Sequence, residues 1–501
     1  MALSTTIQNS EDFSLSVAEI ISYRMADGAP GRQQPITIDI KNIILKITLD
    51  ENIYEHTMVG KLQIYDSVDV RTILPITGLE RLNLKFNTPG LNGVNAVANE
   101  GHPFHIYKIQ SVYQDRESIR SQLYDIFFCS RESYFNNMRK VSKAYEGPVE
   151  LGVEDIFTNK RYLNSTKQLY IEPTKYNTKI VIPNLKPFSA IRMFCARAVS
   201  KQYENAGFLF YETTDGYHFR SYESMFAMAG AIARPTKWHY RPQIKNIRNP
   251  RTGVEEPVKD MHGVNNWGLD RPVDVLASLN SGGYANKSIE YDSFYKTINI
   301  TNYNYEKDFP KHFHTEHDGD GHKSDDKTHL PAAGNIEGSR LSESYEQRVF
   351  LSSNPSRVHN KFGTISSELS TQKIMSQEAL LKSGVLTLNV PGNSVLQAGD
   401  IIDFEMPLFQ PLGDDKPVRK NPYWAGRYLV TFLKHNVDVT GGYTMTILAV
   451  KDNTAHQYIP EHQSWKHEAP NKGRTHNIYE QDKLIMNQLG PAGMDIKGTP
   501  F

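Results

Sequence analysis

Alternating apolar and polar positions are densest between Gly384 and Val450. Two runs there place apolar side chains on one face at the two-residue period of a strand: Leu386, Leu388 and Val390, then Ile402, Phe404 and Met406. Each run ends at a proline, which cannot donate to a central ladder. A hairpin follows, with arms Arg427 to His435 and Tyr443 to Val450 and with Gly441-Gly442 in the turn. The pattern predicts a compact set of β-strands.

The same pattern occurs near the N-terminus. A strand from Gly60 to Tyr65 precedes a turn at Gly78 and a strand from Arg81 to Phe86. A hairpin again follows, with arms Phe104 to Tyr113 and Leu123 to Ser130. The order and rough spacing of these parts predict an internal duplication of one small β-barrel or sandwich, with a large insertion between the copies. The alternative is two unrelated β-meanders whose patterns align loosely.

The residues that flank the N-terminal copy have less regular patterns. Those before about Pro35 are polar and turn-rich, and strands are predicted to begin only after it. Ile36 to Ile40 alternates cleanly, and the next strand is predicted to carry four apolar residues on one face: Ile43, Leu45, Ile47 and Leu49. Behind the hairpin, Glu132 to Ala144 is predicted to be an amphipathic helical tail.

The insertion begins with a small α+β unit. Gly147 to Pro187 holds short extended runs between polar loops. A helix is predicted to start at Ser189 as its N-cap, and one face gathers apolar residues at helical spacing: Ile191, Phe194, Cys195, Ala198 and Val199. A hairpin from Phe208 to Arg220 follows, with Asp215-Gly216 as its turn.

The rest of the insertion is more polar. Trp238 to Tyr284 is turn-rich, whereas Lys287 to Glu290 and Phe294 to Asn302 are predicted to be strands that return toward the second copy. Helical signal is found between Tyr345 and Leu351 and again in Thr371 to Leu381, immediately before that copy.

These patterns predict a fold class that is mainly β with α+β insertions: two β-barrel domains in one chain plus inserted peripheral domains. From His456 onward the chain is polar and is interpreted as an arm that orders on assembly. The predicted divisions of the 501 residues are an N-terminal segment 1–34, a first barrel 35–145, an inserted α+β domain 146–235, a peripheral insertion with returning strands 236–370, a second barrel 371–455 and a C-terminal arm 456–501.

The amino-acid composition of the chain excludes some classes of function. The 56 basic and 56 acidic residues balance, so no net field recruits nucleic acid or an anionic membrane. Met1 to Asp12 lacks the features of a secretory signal, and the longest small-apolar run, Met225 to Ala233, is far shorter than the ~20 residues of a membrane span. We therefore expect a soluble protein made in a cytoplasm. The two cysteines, Cys129 and Cys195, are expected to be buried free thiols.

Candidate chemistry is sparse. The most suggestive group is a histidine-rich segment: His312, His314, His317, Asp318, Asp320 and His322. Such a group could hold a divalent metal, but its spacing fits neither an HExxH helix nor an EF-hand loop, so a solvated loop is favoured. Four aromatic residues could stack sugars or bases, although strand packing is the commoner use: Trp238, Tyr240, Trp267 and Trp424. No catalytic, cofactor-binding or metal-binding residue is predicted, and no cofactor.

A barrel, an inserted α+β unit, and a second barrel closed by Gly384 to Phe404 and the Arg427 to Val450 hairpin resemble the central baseplate hub protein of T-even-type contractile-tailed bacteriophages. The helix and hairpin of Ser189 to Arg220 fit the inserted domain of that family, and the resemblance covers Pro35 to Val450. It implies two tail-tube-like barrels per chain and a homotrimer whose ring of six barrels joins the six-fold tail tube to the three-fold spike. The charged, histidine-rich loop from Lys311 to Asn335 and the C-terminal arm are longer than the resemblance leads us to expect.

The resemblance also implies the partners of a structural, non-enzymatic protein. These are further copies of itself, the tail tube or tube-initiator protein, the central spike, and the baseplate wedge and tape-measure proteins. DNA is expected only in transit through the lumen, membrane anchoring is not expected, and the location is the tail baseplate of a virion assembled in the host cytoplasm. Two alternatives stay open. One is a tail-associated hydrolase, either metal-dependent through His314 to His322 or cell-wall degrading, and the other is a spike component of a phage-tail-derived secretion system.

Overall fold

Strands form where β-branched and aromatic residues alternate with polar ones, and such runs dominate this chain. The computed structural model describes residues 7–23, 35–97, 102–114, 121–227, 238–242, 257–270, 274–292, 296–316, 335–353, 367–382, 384–407, 420–421 and 423–454. All of them belong to one compact unit, Met1–His456. The predicted C-terminal arm, 456–501, lies outside the described residues.

The first part of the chain is built mainly of strands. Its elements are β1 (Ser14–Ser22), β2 (Ile36–Asp39), a 3₁₀ turn (Lys41–Ile43), β3 (Ile44–Asn52), β4 (Val59–Asp66), α1 (Val70–Ile73), β5 (Arg81–Asn87), β6 (Val94–Ala96), β7 (Phe104–Gln114), β8 (Gln122–Cys129) and α2 (Arg131–Met138). The predicted strands of the N-terminal copy are confirmed as β4, β5, β7 and β8.

The insertion mixes short helices with strands. Its first part contains β9 (Val141–Pro148), α3 (Val149–Thr158), β10 (Leu169–Ile171), β11 (Asn177–Leu185), α4 (Pro187–Cys195), β12 (Phe208–Thr213), β13 (Gly216–Ser221) and α5 (Tyr222–Phe226). Its second part contains β14 (Trp238–Pro242), α6 (Pro257–Asp260), β15 (Gly263–Val264), β16 (Asn266–Asp270), α7 (Val275–Asn280), β17 (Ala285–Asp292), β18 (Thr297–Asn304), α8 (Tyr305–Asp308), β19 (Asn335–Ile336), β20 (Ser339–Arg340), β21 (Val349–Ser353) and α9 (Ser367–Leu381).

The C-terminal copy supplies β22 (Val385–Pro391), β23 (Ile401–Phe404), β24 (Gly426–Asp438) and β25 (Gly442–Val450), as predicted. Most strands belong to one sheet, in the order β15-β14-β23-β24-β3-β4-β8-β7-β5-β1-β2. In the same sheet β25 pairs with β24 and β22, β22 also pairs with β16, and β6 pairs with β5. The fold is therefore mainly β, and small sheets and helices of the insertion surround this sheet.

The two predicted barrels share one hydrophobic core. A single cluster of buried side chains includes residues of both copies, such as Leu82 and Phe128 from the first and Leu388 and Ile447 from the second. A second cluster lies within the inserted α+β unit, where Val153 of α3, Phe194 of α4 and Phe219 of β13 are buried together. The predicted domain boundaries remain predictions, since the sheet and its core run through both copies.

The expectation that strands begin only after Pro35 is wrong. β1 pairs with β5 from Ser14↔Asn87 to Ile21↔Arg81 and also with β2. An irregularity between Leu15 and Val17 shifts the register, so the apolar residues do not alternate evenly along the strand. A β-bulge of this kind hides a strand from a search for strict two-residue periodicity.

The predicted apolar face of β3 is also wrong in part. Ile43 lies in a 3₁₀ turn, and a register shift against β4 between Ile44 and Lys46 inserts one extra residue. The inserted residue reverses the alternation at the start of the strand. Ile44 is therefore 3% exposed and Leu45 is 38% exposed, whereas Ile47 and Leu49 are buried as predicted.

Because of the bulge in β3, we predict very different losses of stability when its neighbouring residues Ile44 and Leu45 are replaced. Leu45→Ser is expected to change the free energy of unfolding by less than about 0.5 kcal/mol, because the side chain is exposed. Ile44→Ala is expected to lower it by about 2–5 kcal/mol, because it leaves a cavity in the core. Urea unfolding followed by circular dichroism compares the two variants, and similar losses in both would contradict the bulge.

Three helix predictions need correction. The helix predicted from Glu132 to Ala144 ends at Met138, because Val141–Pro148 pairs with β11 instead. α3 was predicted as loops and strands, although Val149, Val153, Ile156 and Phe157 are buried at helical spacing. The helix predicted from Tyr345 to Leu351 is wrong, because Val349–Ser353 is a strand that pairs in parallel with β17.

The inserted helix α4 starts two residues before the predicted N-cap. Pro187 occupies its first turn, where proline costs no hydrogen bond and already has a helical φ. The Asn136 side-chain oxygen accepts from the Phe188 backbone N–H at 2.9 Å, so Ser189 is not needed as a cap. The helix ends at Cys195, and Ala198 and Val199 are buried beyond its end.

The strands predicted to return toward the second copy exist but belong elsewhere. β17 pairs with β18 and β21 in a separate three-stranded sheet. The main sheet instead receives β14 and β16 from the segment Trp238 to Tyr284, which was predicted to be polar and turn-rich. Tyr240 in β14 is fully buried, because its side chain belongs to the shared hydrophobic core.

Both cysteines are buried free thiols, as predicted. Burial raises the pKa of Cys129 to about 11 and that of Cys195 to about 12, so both remain protonated near neutral pH. Within the described helices, none has the length and apolar character of a membrane-spanning segment.

Candidate functional site: the junction of two equivalent strand motifs

Two groups of four strands have the same topology. We define the first motif as β4, β5, β7 and β8, and the second motif as β22, β23, β24 and β25. In each motif the first strand pairs with the fourth, the fourth with the third and the third with the second, all antiparallel. The four strands of each motif thus follow one another in the same order along the chain and lie in the same order across the sheet. This agreement is consistent with the predicted duplication.

The motifs also share an irregularity in their third strand. In β7, one extra residue lies between the pairs Ile106↔Phe128 and Lys108↔Phe127. In β24, one extra residue lies between Val430↔Ala449 and Phe432↔Leu448. These bulges make Ile106 and Val430 structurally equivalent, and bulges at matching positions are typical of related units because they are specific features of a fold.

The turn before the second strand is built in the same way in both motifs. The Glu80 carboxylate accepts from the Thr77 N–H at 2.9 Å, and the Asp400 carboxylate accepts from the Gln397 N–H at 3.1 Å. The Glu80 carbonyl then accepts from Ile106 N–H at 3.0 Å, and the Asp400 carbonyl accepts from Val430 N–H at 2.9 Å. An acidic residue that caps its own turn thus fixes where each second strand meets the third.

A strand of the first part joins the two motifs. β3 pairs with β4 on one edge and with β24 on the other, from Lys46↔Asp438 to Asn52↔Phe432. The sheet therefore continues from the first motif into the second without an open edge between them. Lys434 and Asp50 face each other across this pairing, with 3.7 Å between Nζ and the nearest carboxylate oxygen. Burial raises the pKa of Asp50, and Lys434 opposes that effect.

Glu51 forms hydrogen bonds that connect three parts of the chain at this junction. Its side chain is fully buried, and its carboxylate accepts from the Thr214 N–H at 3.1 Å and from the Ala398 N–H at 2.9 Å. Thr214 belongs to the turn of the inserted hairpin, and Ala398 precedes β23. His435 Nε2 lies 3.9 Å from the same carboxylate, and Nδ1 of His435 bonds the Tyr443 hydroxyl at 2.7 Å.

A buried charge triad joins the first motif to the inserted unit. Lys167 Nζ lies 2.5 Å from Glu212 and 3.4 Å from Glu132. The Glu212 carboxylate also accepts from the Met58 N–H at 2.9 Å, and Ser165 donates to Glu132 at 2.6 Å. Burial opposes the charge of Lys167, yet the two carboxylates outweigh it and raise the lysine's pKa.

The pKa values of the two carboxylates in this triad are shifted in opposite directions. Burial raises the pKa of Glu212 more than Lys167 lowers it, whereas Lys167 and Ser165 overcome burial and lower the pKa of Glu132. A cavity of 240 Å³ opens beside the triad, and Lys167, Glu212, His102 and Asp215 are among its lining residues. Lys167 and Glu212 both belong to the inserted unit, so the contacts that hold this unit to the first part of the chain are Lys167 with Glu132 and Glu212 with the Met58 N–H.

His314 lies in a buried corner behind the second motif. Nδ1 lies 2.8 Å from the Asp452 carboxylate and Nε2 lies 2.9 Å from the Phe309 carbonyl oxygen. Both partners are acceptors, so both ring nitrogens must carry protons and the ring is an imidazolium. Burial alone would lower the pKa of His314, but Asp452 outweighs burial and raises it. His314 in turn lowers the pKa of Asp452, which is also buried.

Asp452 and its neighbour also fix the backbone after His314. The second carboxylate oxygen of Asp452 accepts from the Thr315 N–H at 3.0 Å. The Asn453 side chain accepts from the Glu316 N–H at 3.0 Å and donates to the Glu316 carbonyl at 2.9 Å. Glu316 then reaches Lys451, 3.2 Å away. The segment His314 to Glu316 of the insertion is thereby anchored to the chain just beyond β25.

The prediction of a solvated loop is wrong for the start of the histidine-rich segment, because His312 and His314 are both buried. His312 Nδ1 faces the Glu223 carboxylate at 3.1 Å, and Nε2 lies 3.1 Å from the Tyr303 hydroxyl. The imidazole rings of His312 and His314 therefore interact with different partners. The other four residues of the segment lie outside the described residues: His317, Asp318, Asp320 and His322. The described part of the chain brings no three potential metal ligands together.

The aromatic candidates pack against the main core, three of them from strands and Trp424 from the turn before β24. Tyr240 is fully buried, and Trp267 stands 5.8 Å from Phe404, measured between ring centroids. Trp238 and Trp424 are partly buried against the same core. Their packing supports the commoner of the two explanations given for them.

Sequence patterns missed the buried charges that hold the parts together. One signal was present: Glu212 occupies a position within an otherwise apolar hairpin strand, Phe208–Thr213. A charged residue at an inward strand position needs a partner of opposite charge. The partner, Lys167, lies in a loop, so no pattern in the sequence pairs the two residues.

The sequence matches no protein-family model and no curated protein. Among solved structures the chain is similar to the tail protein from Neisseria meningitidis MC58, with 8% identity and a TM-score of 0.47 over 87% of this chain and 96% of that one. It is similar to the 43 kDa tail protein of prophage MuSo2 from Shewanella oneidensis, with 9% identity and a TM-score of 0.48 over 87% of this chain and 98% of that one.

A further similar structure is the E. coli c3393 protein, described as a component of the type VI secretion system. Its identity is 10% and its TM-score 0.37, over 83% of this chain and 76% of that one.

Proposed function

We propose that the protein is a structural hub of a contractile phage-tail baseplate, a homotrimer whose ring joins a six-fold tail tube to a three-fold central spike. The observation that carries the proposal is the pair of equivalent strand motifs joined through β3 and β24. Three chains with two equivalent motifs each supply six similar units around a three-fold axis. Such a ring can meet a six-fold partner on one side and a three-fold partner on the other.

The buried contacts support a structural role. Glu51, the Lys167 triad and the pair His314–Asp452 each connect segments far apart in sequence. Groups of this kind hold several parts of a chain in one fixed arrangement, which is what a ring that transmits load requires. The proposed partners are the tube or tube-initiator protein, the spike, and the wedge and tape-measure proteins. DNA would pass through the lumen, and the location would be the virion baseplate.

The oligomeric state of the purified full chain tests the proposal. Light scattering is expected to give about three times the chain mass of 57.0 kDa, and negative-stain images of the same peak are expected to show a ring with six lobes. A chain that stays monomeric, alone and when mixed with the tail proteins encoded beside it, would overturn the proposal.

Elemental analysis of the same sample tests the hydrolase alternative. A monomer that retains one equivalent of a divalent metal would favour it over the hub. Replacing His314 would not separate the two functions, because its ion pair with Asp452 stabilises the fold in either case.

A further inference from the structure

We propose that β7 of one chain pairs with β16 of a second copy, and so repeats between chains the pairing that joins β24 to β3 within one chain. The inference rests on the proposed trimer and names the strands that would close it. Equivalent strands of the two motifs differ in which of their edges pair with another strand, and this difference leads to the inference.

The third strands of the two motifs have different neighbours. β24 pairs with β25 on one edge, and on the other edge with β23 near its start and then with β3. β7 pairs with β8 on one edge and with β5 only at Arg81↔His105 and Leu82↔Phe104. β3 pairs with the remaining edge of β24. Within the described ranges, no strand pairs in the same way with the rest of β7.

The strands that precede the motifs differ in the same way. β3 pairs with β4 and β24, whereas β16, among the described strands, pairs with β22 and no other. β16 is the equivalent of β3, because each pairs antiparallel with the first strand of a motif. The registers match as well: Asp50 lies opposite Val59, and Asp270 lies opposite Val385. Those two valines occupy equivalent places, since they pair with Cys129 and Val450.

The two edges are accessible to a partner. Tyr107, the bulge residue of β7, is 46% exposed, whereas Thr431, the bulge residue of β24, is 6% exposed. Val112 and Tyr113, farther along β7, are 47% and 63% exposed. A Cβ added at Gly268 in β16 would have no heavy atom within 4 Å. Exposed apolar residues along a strand edge favour pairing with another chain. The basic Lys108 on β7 and the acidic Asp270 on β16 give the two edges opposite charge.

The equivalence fixes the register of the proposed pairing. Gln110 follows the bulge of β7 at the same distance as Lys434 follows the bulge of β24. Because Lys434 lies opposite Asp50, Gln110 of one chain would lie opposite Asp270 of the next. In this register Leu269 back to Asn266 of β16 would lie opposite Ser111 to Gln114 of β7. A second irregularity, with Ser111 at φ 57°, lies within that stretch, so the equivalence fixes the register at Gln110 and Asp270.

Three such contacts close a ring. Each chain would contribute one internal junction, β3 with β24, and one external junction, β16 with β7. The two kinds would alternate around the axis, and a head-to-tail contact that closes after three copies leaves no strand edge unpaired at either junction.

A cross-linking experiment tests the pairing on the full chain. Gln110→Cys and Asp270→Cys are combined in one chain and treated with a short bismaleimide, which tolerates a register error of one residue. Both side chains are exposed, and the native cysteines are buried. We expect covalent dimers and trimers on a denaturing gel in at least tenfold excess over either single variant. Asp270→Cys combined with Val181→Cys, an exposed residue of the peripheral strand β11, is expected to give none.

A positive control uses the junction that is already described. Asp50→Cys with Lys434→Cys should form a link within one chain, detected by peptide mapping, while the protein still runs as a single chain on the denaturing gel. Light scattering of every variant separates the two possible failures. A trimer without covalent dimers in the Gln110–Asp270 variant would overturn this pairing and leave the hub proposal standing. A wild-type chain that stays monomeric, alone and when mixed with the tail proteins encoded beside it, would overturn both.

Discussion

Replacing Asp452 by alanine is expected to lower the free energy of unfolding by about 3–5 kcal/mol, the usual loss when one partner of a buried ion pair is removed. Asp452 is 1% exposed and is the carboxylate partner of His314, which is 2% exposed. Without it the imidazolium would have only the Phe309 carbonyl as an acceptor, and the Thr315 N–H would lose its bond. Urea unfolding of the purified chain measures the loss.

The size of this loss is expected to depend on pH. The pKa of His314 is raised above 6.5 in the folded chain, so its stabilisation is complete below about pH 6.5 and is lost as the pH rises through the folded pKa. The pKa of Asp452 is lowered below 3.8, so its contribution is complete above that value and is lost as the pH falls through the folded pKa. Wild type and variant should therefore differ most between about pH 4 and 6.5, and less at pH 9.

An exposed carboxylate provides the matched control. Glu346 pairs with Lys287, but its side chain is 77% exposed. Glu346→Ala is expected to change stability by no more than about 1 kcal/mol at either pH, because exposed ion pairs contribute little. A loss for Asp452→Ala as small as that of the control, or equal at pH 5.5 and pH 9, would contradict the imidazolium assigned to His314.

Replacing Lys167 by methionine is expected to destabilise the chain by about 3–5 kcal/mol, because two buried carboxylates would face each other without a cation. Methionine keeps most of the apolar stem of lysine, so the change removes mainly the charge. The loss should concentrate at the contact between the inserted unit and the first motif, which limited proteolysis followed by mass spectrometry can locate.

A compensating variant separates charge from packing in this triad. Adding Glu212→Gln to Lys167→Met leaves one buried carboxylate instead of two, so stability is expected to recover in part. Lys311→Met is the exposed control, since its side chain is 72% exposed beside Asp308. Full loss in the double variant would show that the lysine acts through its packing and not through its charge.

The strand motifs could be predicted from sequence because their signal is local. Leu82, Leu84 and Phe86 alternate without interruption, and all three are fully buried. The turn glycines were equally clear, since Gly78 and Gly399 have φ near +90°, a conformation that favours glycine. Where a bulge interrupts the alternation, as at Leu45, the same method assigns the wrong face.

The junctions could not be predicted because their partners are distant in sequence. Glu51 bonds to Thr214 and Ala398, and nothing near Glu51 in the chain points to either residue. The polar residues of His312 to His322 predict a solvated segment that would include His314. Its burial depends on Asp452, which lies on the far side of the second motif and carries no local signal of its role.

The pairing of β3 with β24 has a consequence for synthesis of the chain. β3 can pair with β4 as soon as both have left the ribosome, but Ile47 must wait for Val437. At ~5–20 residues per second, β24 follows β3 by roughly 20–80 s, and one edge of β3 lacks its partner throughout that time. Unpaired edges recruit other nascent chains. Translation speed and chaperone supply should therefore limit the soluble yield of this protein more than its final stability does.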